Sequence, residues 1–109
     1  MTKLMIAPLA RADMREIGDY ISRELGNPAA ARRVIWRFRD TISLLQDFPE
    51  MGSPLLSAGK QRAPYRRLVC GNYLIFYHVD GNAVCIDRVL YGRRDYMALL
   101  FGNQLEEEE

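Results

Sequence analysis

The residues best equipped for chemistry fall in the last third of the chain, where Arg66, Arg67, Arg88, Arg93 and Arg94 are interleaved with Tyr65, Tyr91, Tyr96 and the sole histidine, His78. A guanidinium is a planar fork that meets carboxylate or phosphate oxygens two at a time. Such a set serves two ends. One is docking onto an acidic macromolecule; the other is phosphodiester cleavage, in which cations stabilise the charged transition state and a neighbouring side chain moves the proton. Imidazole titrates at roughly pH 6.5, which suits His78 to acid or base work, although a lone strand histidine near a turn is more often a plain surface residue. Arg88 and Arg94 have an ordinary alternative too, as structural ion pairs with Asp87, Asp95 or helix carboxylates. One histidine, two separated cysteines and no clustered carboxylates give no metal-ligand spacing, so neither a metal nor another cofactor is expected. Gly81 and Gly92 belong to turns, and no phosphate-cradling loop is present.

Composition narrows the partners. The 109 residues suit one domain with a single core. Formal net charge is only +1, but Glu106 to Glu109 hold four of the fourteen acids. Residues 1–105, the expected folded domain, therefore carry fifteen basic against ten acidic side chains. This surplus suits an acidic partner or a nucleic acid, and equally suits no more than a solvated surface. The run 106–109 reads as a disordered acidic tail or a cloning remnant. Cys70 and Cys85 fall on the first and third strands of a meander, about 10 Å apart from the strand spacing, too far for a disulfide. Free thiols suit a reducing cytoplasm, and neither a signal peptide nor a membrane span is indicated.

The elements that must hold these residues follow from periodicity. Lys3 to Ala7 is a short strand candidate ended by Pro8. Met14, Ile17, Ile21 and Leu25 recur at helical spacing, and Gly26 ends that helix. Asn27 and Pro28 restart a second helix as cap and first-turn proline, with Val34, Phe38, Ile42 and Leu45 on its buried face and Arg32, Arg33, Arg37 and Arg39 outside. From Phe48 to Pro64 the period lapses into a long loop. Three strand-length runs follow between Tyr65 and Tyr91, broken at Gly71-Asn72 and Asp80-Gly81-Asn82 by residues that accept positive φ. Tyr96 to Phe101 then reads as a short closing helix. The predicted fold is α+β: a short N-terminal strand and a helical hairpin packed on an antiparallel sheet of three or four strands. Tyr73, Ile75 and Tyr77 share one face with Val84, Ile86 and Arg88; Leu74, Phe76 and His78 share the other with Cys85 and Asp87. Both faces are largely apolar, so periodicity leaves open which one the helices cover.

Three stretches, FPEMGSP (48–54), NYLIFY (72–77) and RVLYGRRD (88–95), in this order behind two helices, resemble the RelE/ParE toxin superfamily over residues 3–101. Its members are toxins of type II toxin-antitoxin modules, some labelled plasmid stabilisation proteins. The resemblance implies one of two activities. In RelE-like members the toxin cuts mRNA on the ribosome; Arg66, Arg94, His78 and Tyr96 would carry that reaction here. Two positions depart from that pattern: the arginine after the middle-strand tyrosine is Leu74, and the tyrosine of the C-terminal helix falls near Leu100. ParE-like members bind DNA gyrase and trap it on cleaved DNA, with no chemistry in the toxin. Arg66, Arg67, Arg88, Arg93, Arg94 and Tyr91, at a position where many relatives have histidine, would then form the target-binding surface. The ParE-like branch fits better, and a non-toxic binding module of the same fold is the weaker third reading. Either branch implies a cognate antitoxin, an acidic segment that folds as it wraps the helical hairpin and the sheet.

Overall fold

A computed structural model describes residues 2–56 and 62–92. The chain runs β1 (Lys3–Ile6), α1 (Pro8–Asp19), a π-helical turn (Tyr20–Glu24), α2 (Pro28–Asp47), β2 (Ser53–Leu56), β3 (Arg62–Cys70), β4 (Tyr73–Asp80) and β5 (Ala83–Tyr91). Together these form the predicted α+β arrangement, although the sheet is larger than the pattern indicated. It has five strands in the order β1-β5-β4-β3-β2, and β1 lies parallel to β5 while the other neighbours are antiparallel. β2 sits inside the stretch read as a loop, because four residues holding a proline show no usable period. The expected helix at 96–101 and the tail 106–109 lie outside the described residues.

Local signals explain most of the boundaries. Asn27 accepts a hydrogen bond from the Ala30 amide at 3.1 Å, and Pro28 occupies the first turn of α2. Gly71 and Gly81 stand at φ 62 and 61, in the left-handed region the two hairpin turns require. The π turn spoils one expectation. It adds a residue to the last turn of α1, closing with Leu25 N–H donating to the Tyr20 carbonyl at 3.2 Å, and so rotates Leu25 off the apolar stripe; that side chain is 59% exposed.

The helical hairpin covers one face of the sheet and settles which. Phe38, Ile42 and Leu45 of α2 pack with Ile75, Tyr77, Val84, Ile86 and Val89. On the opposite face Leu55, Leu74, Phe76 and Leu90 form a second, smaller cluster beside Tyr65. Simple alternation fails near the end of β5. Phe76 pairs with Arg88 but Tyr77 pairs with Ile86, so Asp87 is an extra residue and the strand bulges. As a result Val89 joins the helix-side core and Leu90 the other. Cys70 and Cys85 are both free, with β4 between their strands. Among the described residues no helix is long and apolar enough to cross a membrane.

Candidate macromolecule-binding surface

Past Ile86, where β1 ends, the outer edge of β5 meets α1, and the contact is made by a carboxylate. Asp13 accepts from Arg88 Nε at 2.7 Å, from Arg88 Nη2 at 2.8 Å and from the Val89 amide at 3.0 Å. Both side chains are largely covered, and the hydrogen bond to Asp13 pushes the Arg88 guanidinium up and keeps it cationic. Arg88 is therefore a structural strut between helix and sheet and leaves the expected target-binding set: the helix-carboxylate alternative is the one realised. Asp13 was missed at the sequence level. The available signal was an acid within the apolar stripe, beside Ala10, Met14 and Ile17.

Arg66 takes a different role. It lies on the helix-bearing face opposite Tyr77 and donates through Nη1 to the Gly52 carbonyl at 2.7 Å and the Glu50 carbonyl at 3.4 Å. The Tyr77 hydroxyl fastens the same loop, accepting from the Gly52 amide and donating to the Pro49 carbonyl, both at 2.8 Å. Burial is the main cause that raises the Tyr77 pKa. No side chain fits at position 52: a Cβ there would lie 2.8 Å from the Tyr77 ring and hydroxyl and 2.9 Å from the Arg67 carbonyl. The loop thus borders a fixed groove of about 880 Å³ lined by Phe48, Pro49, Glu50, Met51, Arg66 and Val79. Its apolar members stay open to solvent, Phe48 at 58% and Met51 and Val79 at 41% each. Phe48, Met51 and Val79 had no place in the sequence-level site, since exposed apolar residues scattered over a loop and a strand show no pattern until folded.

The remaining candidates point elsewhere. Arg67 pairs with Phe76 and so belongs to the opposite face by strand alternation. On that face His78 Nδ1 lies 2.7 Å from Asp87 Oδ2, and the Tyr65 ring meets the imidazole edge-on at 6.3 Å. Asp87 has its pKa raised by burial, with the bond to His78 working against that rise. Burial, then Asp87 and Asp80, raises the Cys85 thiol. Tyr91 is exposed and packs edge-on to Tyr73 at 5.8 Å, while Tyr73 meets Phe38 at 5.3 Å. Arg93, Arg94 and Tyr96 lie outside the described residues. Among the described residues, no group of three or more His, Cys, Asp and Glu could hold a metal ion.

A second groove, of about 500 Å³, runs between the two helices and β1, lined by Ile6, Arg11, Met14, Arg15, Ile35 and Arg39. Among the described residues its lining holds three arginines and no acid. Arg39 also lies 5.2 Å over the ring of Trp36, a cation-π contact on the outer side of α2.

Comparison with known proteins agrees with this architecture. The family described as the ParE toxin of the type II toxin-antitoxin system parDE matches residues 4–96. Among solved structures, the chain is similar to one from the chromosomal ParDE toxin-antitoxin system of P. aeruginosa, with a TM-score of 0.68 and 20% identity. The match covers 84% of this chain and 96% of that one, and at such identity it speaks to fold alone. No functionally curated protein matches. The family match takes in both helices and all five strands, and the chain belongs to the ParE toxin family of type II toxin-antitoxin systems.

Proposed function

We propose that this toxin acts in the cytoplasm by binding DNA gyrase, holding it on cleaved DNA and so arresting growth. The observation that carries the reading is the divergence of the candidate cations among the described residues. Arg66 is engaged by two carbonyls on the helix-bearing face, Arg67 belongs to the other face, Arg88 is tied to Asp13, and Leu74 is buried at the position where the nucleases carry arginine. Phosphodiester cleavage needs charges converging on one phosphate, whereas a poison needs only a shaped surface. The test offers purified toxin to gyrase with supercoiled DNA: stabilised cleavage complexes are expected, and unaltered supercoiling would refute the reading.

The family implies an antitoxin. Its proposed seat is the groove between the helices and β1, where Arg11, Arg15 and Arg39 surround Ile6, Met14 and Ile35. That pattern suits an amphipathic acidic segment that orders on binding. Arg39→Glu should weaken the complex by about tenfold or more.

One observation favours a ribonuclease as the second reading. The Asp87 carboxylate orients His78 through Nδ1 and leaves Nε2 for a substrate proton, with Tyr65 alongside. Cuts in the ribosomal A site, read by primer extension and lost in His78→Ala, Arg66→Ala and Arg94→Ala, would establish it. Ribosomes that yield intact mRNA dispose of it.

A further inference from the structure

We infer that the groove lined by Phe48, Pro49, Met51, Val79 and Arg66 is where the toxin grips its target, and that its occupant is a bulky apolar side chain from a segment of the target protein. The inference rests on the reading of the chain as a poison that acts by binding. It adds which surface binds and what chemistry the surface takes.

The groove is built before any partner arrives. The Tyr77 hydroxyl holds both ends of Pro49–Gly52, and Gly52 is packed too closely for a Cβ. A loop fixed in this way loses little freedom on binding, so contact made there is expressed as affinity. Phe48, Met51 and Val79 expose apolar surface that no described residue covers. At about 880 Å³ the groove has room for a large side chain and its flanking backbone.

Its charge then selects the class of partner. Among the described residues the lining holds one cation, Arg66, and one anion, Glu50. Arg66 directs Nη1 to two backbone carbonyls, which leaves three N–H groups, on Nε and Nη2, for a carboxylate or backbone carbonyl of the partner. A nucleic-acid backbone would meet one guanidinium, one repelling carboxylate and a largely apolar wall, whereas such proteins rely on rows of cations. A protein segment with an apolar anchor and one backbone carbonyl or carboxylate fits every element. Aromatic and apolar anchors beside an arginine are the usual composition of a protein-protein hot spot. The groove also differs in charge from the three-arginine groove assigned to the antitoxin, so the two surfaces are separable by mutation.

The experiment uses the full chain, purified from its complex with the antitoxin, and two substitutions at exposed positions, Met51→Asp and Phe48→Asp. Growth arrest on induction, gyrase binding and antitoxin binding are measured for each. Both variants should keep the wild-type melting temperature and the antitoxin complex, while growth arrest and gyrase binding fall at least about tenfold. Raising salt from 50 to 200 mM should weaken wild-type binding to gyrase by less than about fivefold, against the hundredfold or steeper loss of a surface that tracks phosphates. Full toxicity in both variants overturns the proposal, as does a steep salt dependence, which would make nucleic acid the occupant. Loss of the antitoxin complex with toxicity retained overturns it too and assigns the groove to the antitoxin. Growth arrest that is sensitive to Met51→Asp in a toxin that does not bind gyrase keeps the groove and removes gyrase. A wild-type chain showing neither arrest nor gyrase binding ends both readings.

Discussion

Two grooves on the helix-bearing side of this molecule differ in what they offer. One, between α1, α2 and β1, places three arginines around apolar floor residues and has no acid among the described residues of its lining. The other, at the C-terminal end of α2, is largely apolar, with a single cation set against a single anion among the described residues. Unbalanced charge attracts from a distance and is screened by salt; apolar area acts only on contact and is nearly indifferent to salt. On the proposed reading, antitoxin and target would therefore use two surfaces governed by different physics. Arginine content alone hides this division, because thirteen arginines look like a single basic surface until their partners are known.

The comparison breaks first at Asp13, which joins the helices of the charged groove to the sheet that carries the apolar one. Asp13→Ala leaves Arg88 and the Val89 amide without their acceptor in a covered site, and should cost about 3–5 kcal/mol in urea unfolding. Retention of wild-type stability would show that the two parts do not depend on this strut. Next is Gly52→Ala, whose methyl group would press on the Tyr77 ring and the Arg67 carbonyl. Overpacking of this kind costs about 1–3 kcal/mol. Target binding should suffer while antitoxin affinity holds, so an equal loss of both would mean that the grooves move together.

Smaller effects sharpen the contrast. Tyr77→Phe removes the hydroxyl that serves Gly52 and Pro49 and should cost about 1–2 kcal/mol, with faster amide exchange at Gly52 as the local readout. The smallest effect concerns pH. Burial raises the pKa of Asp87 in the folded protein, so between the ordinary carboxylate pKa and that raised value the folded state holds more proton than the unfolded chain. This one group therefore makes stability fall as pH rises through that window, and its favourable share returns on acidification. Asp87→Asn should flatten that part of a stability-pH curve. An unchanged curve would mean that the His78 contact offsets the burial.

The legible parts of the fold were those with local causes. Asn27 and Pro28 announced the start of α2, Gly71 and Gly81 announced the two hairpins, and the spacing of Phe38, Ile42 and Leu45 announced its buried face. What stayed hidden depends on distant partners. β2 exists because β3 lies beside it, and the parallel pairing of β1 depends on a strand some eighty residues later. Asp87 looked like one more alternating residue, but the bulge makes it an insertion. Of the candidate site, Arg66 and Arg88 were singled out by type, whereas the carbonyls that engage the first and the carboxylate that engages the second were not legible. Arginine is read alike whether it meets water, a carbonyl or a buried acid; Asp13, 75 positions away from Arg88, decides the matter.

The pairing of Lys3–Ile6 with Ala83–Ile86 also sets a timetable for synthesis. The first strand emerges from the ribosome long before its neighbour exists, and no earlier segment can stand in for that neighbour. The sheet cannot close until Ala83–Ile86 has been made, and a chain terminated before that point lacks the strand that braces both helices. Folding thus waits on a contact that spans some eighty residues, and only a chain made past Ile86 has both helices braced by the closed sheet.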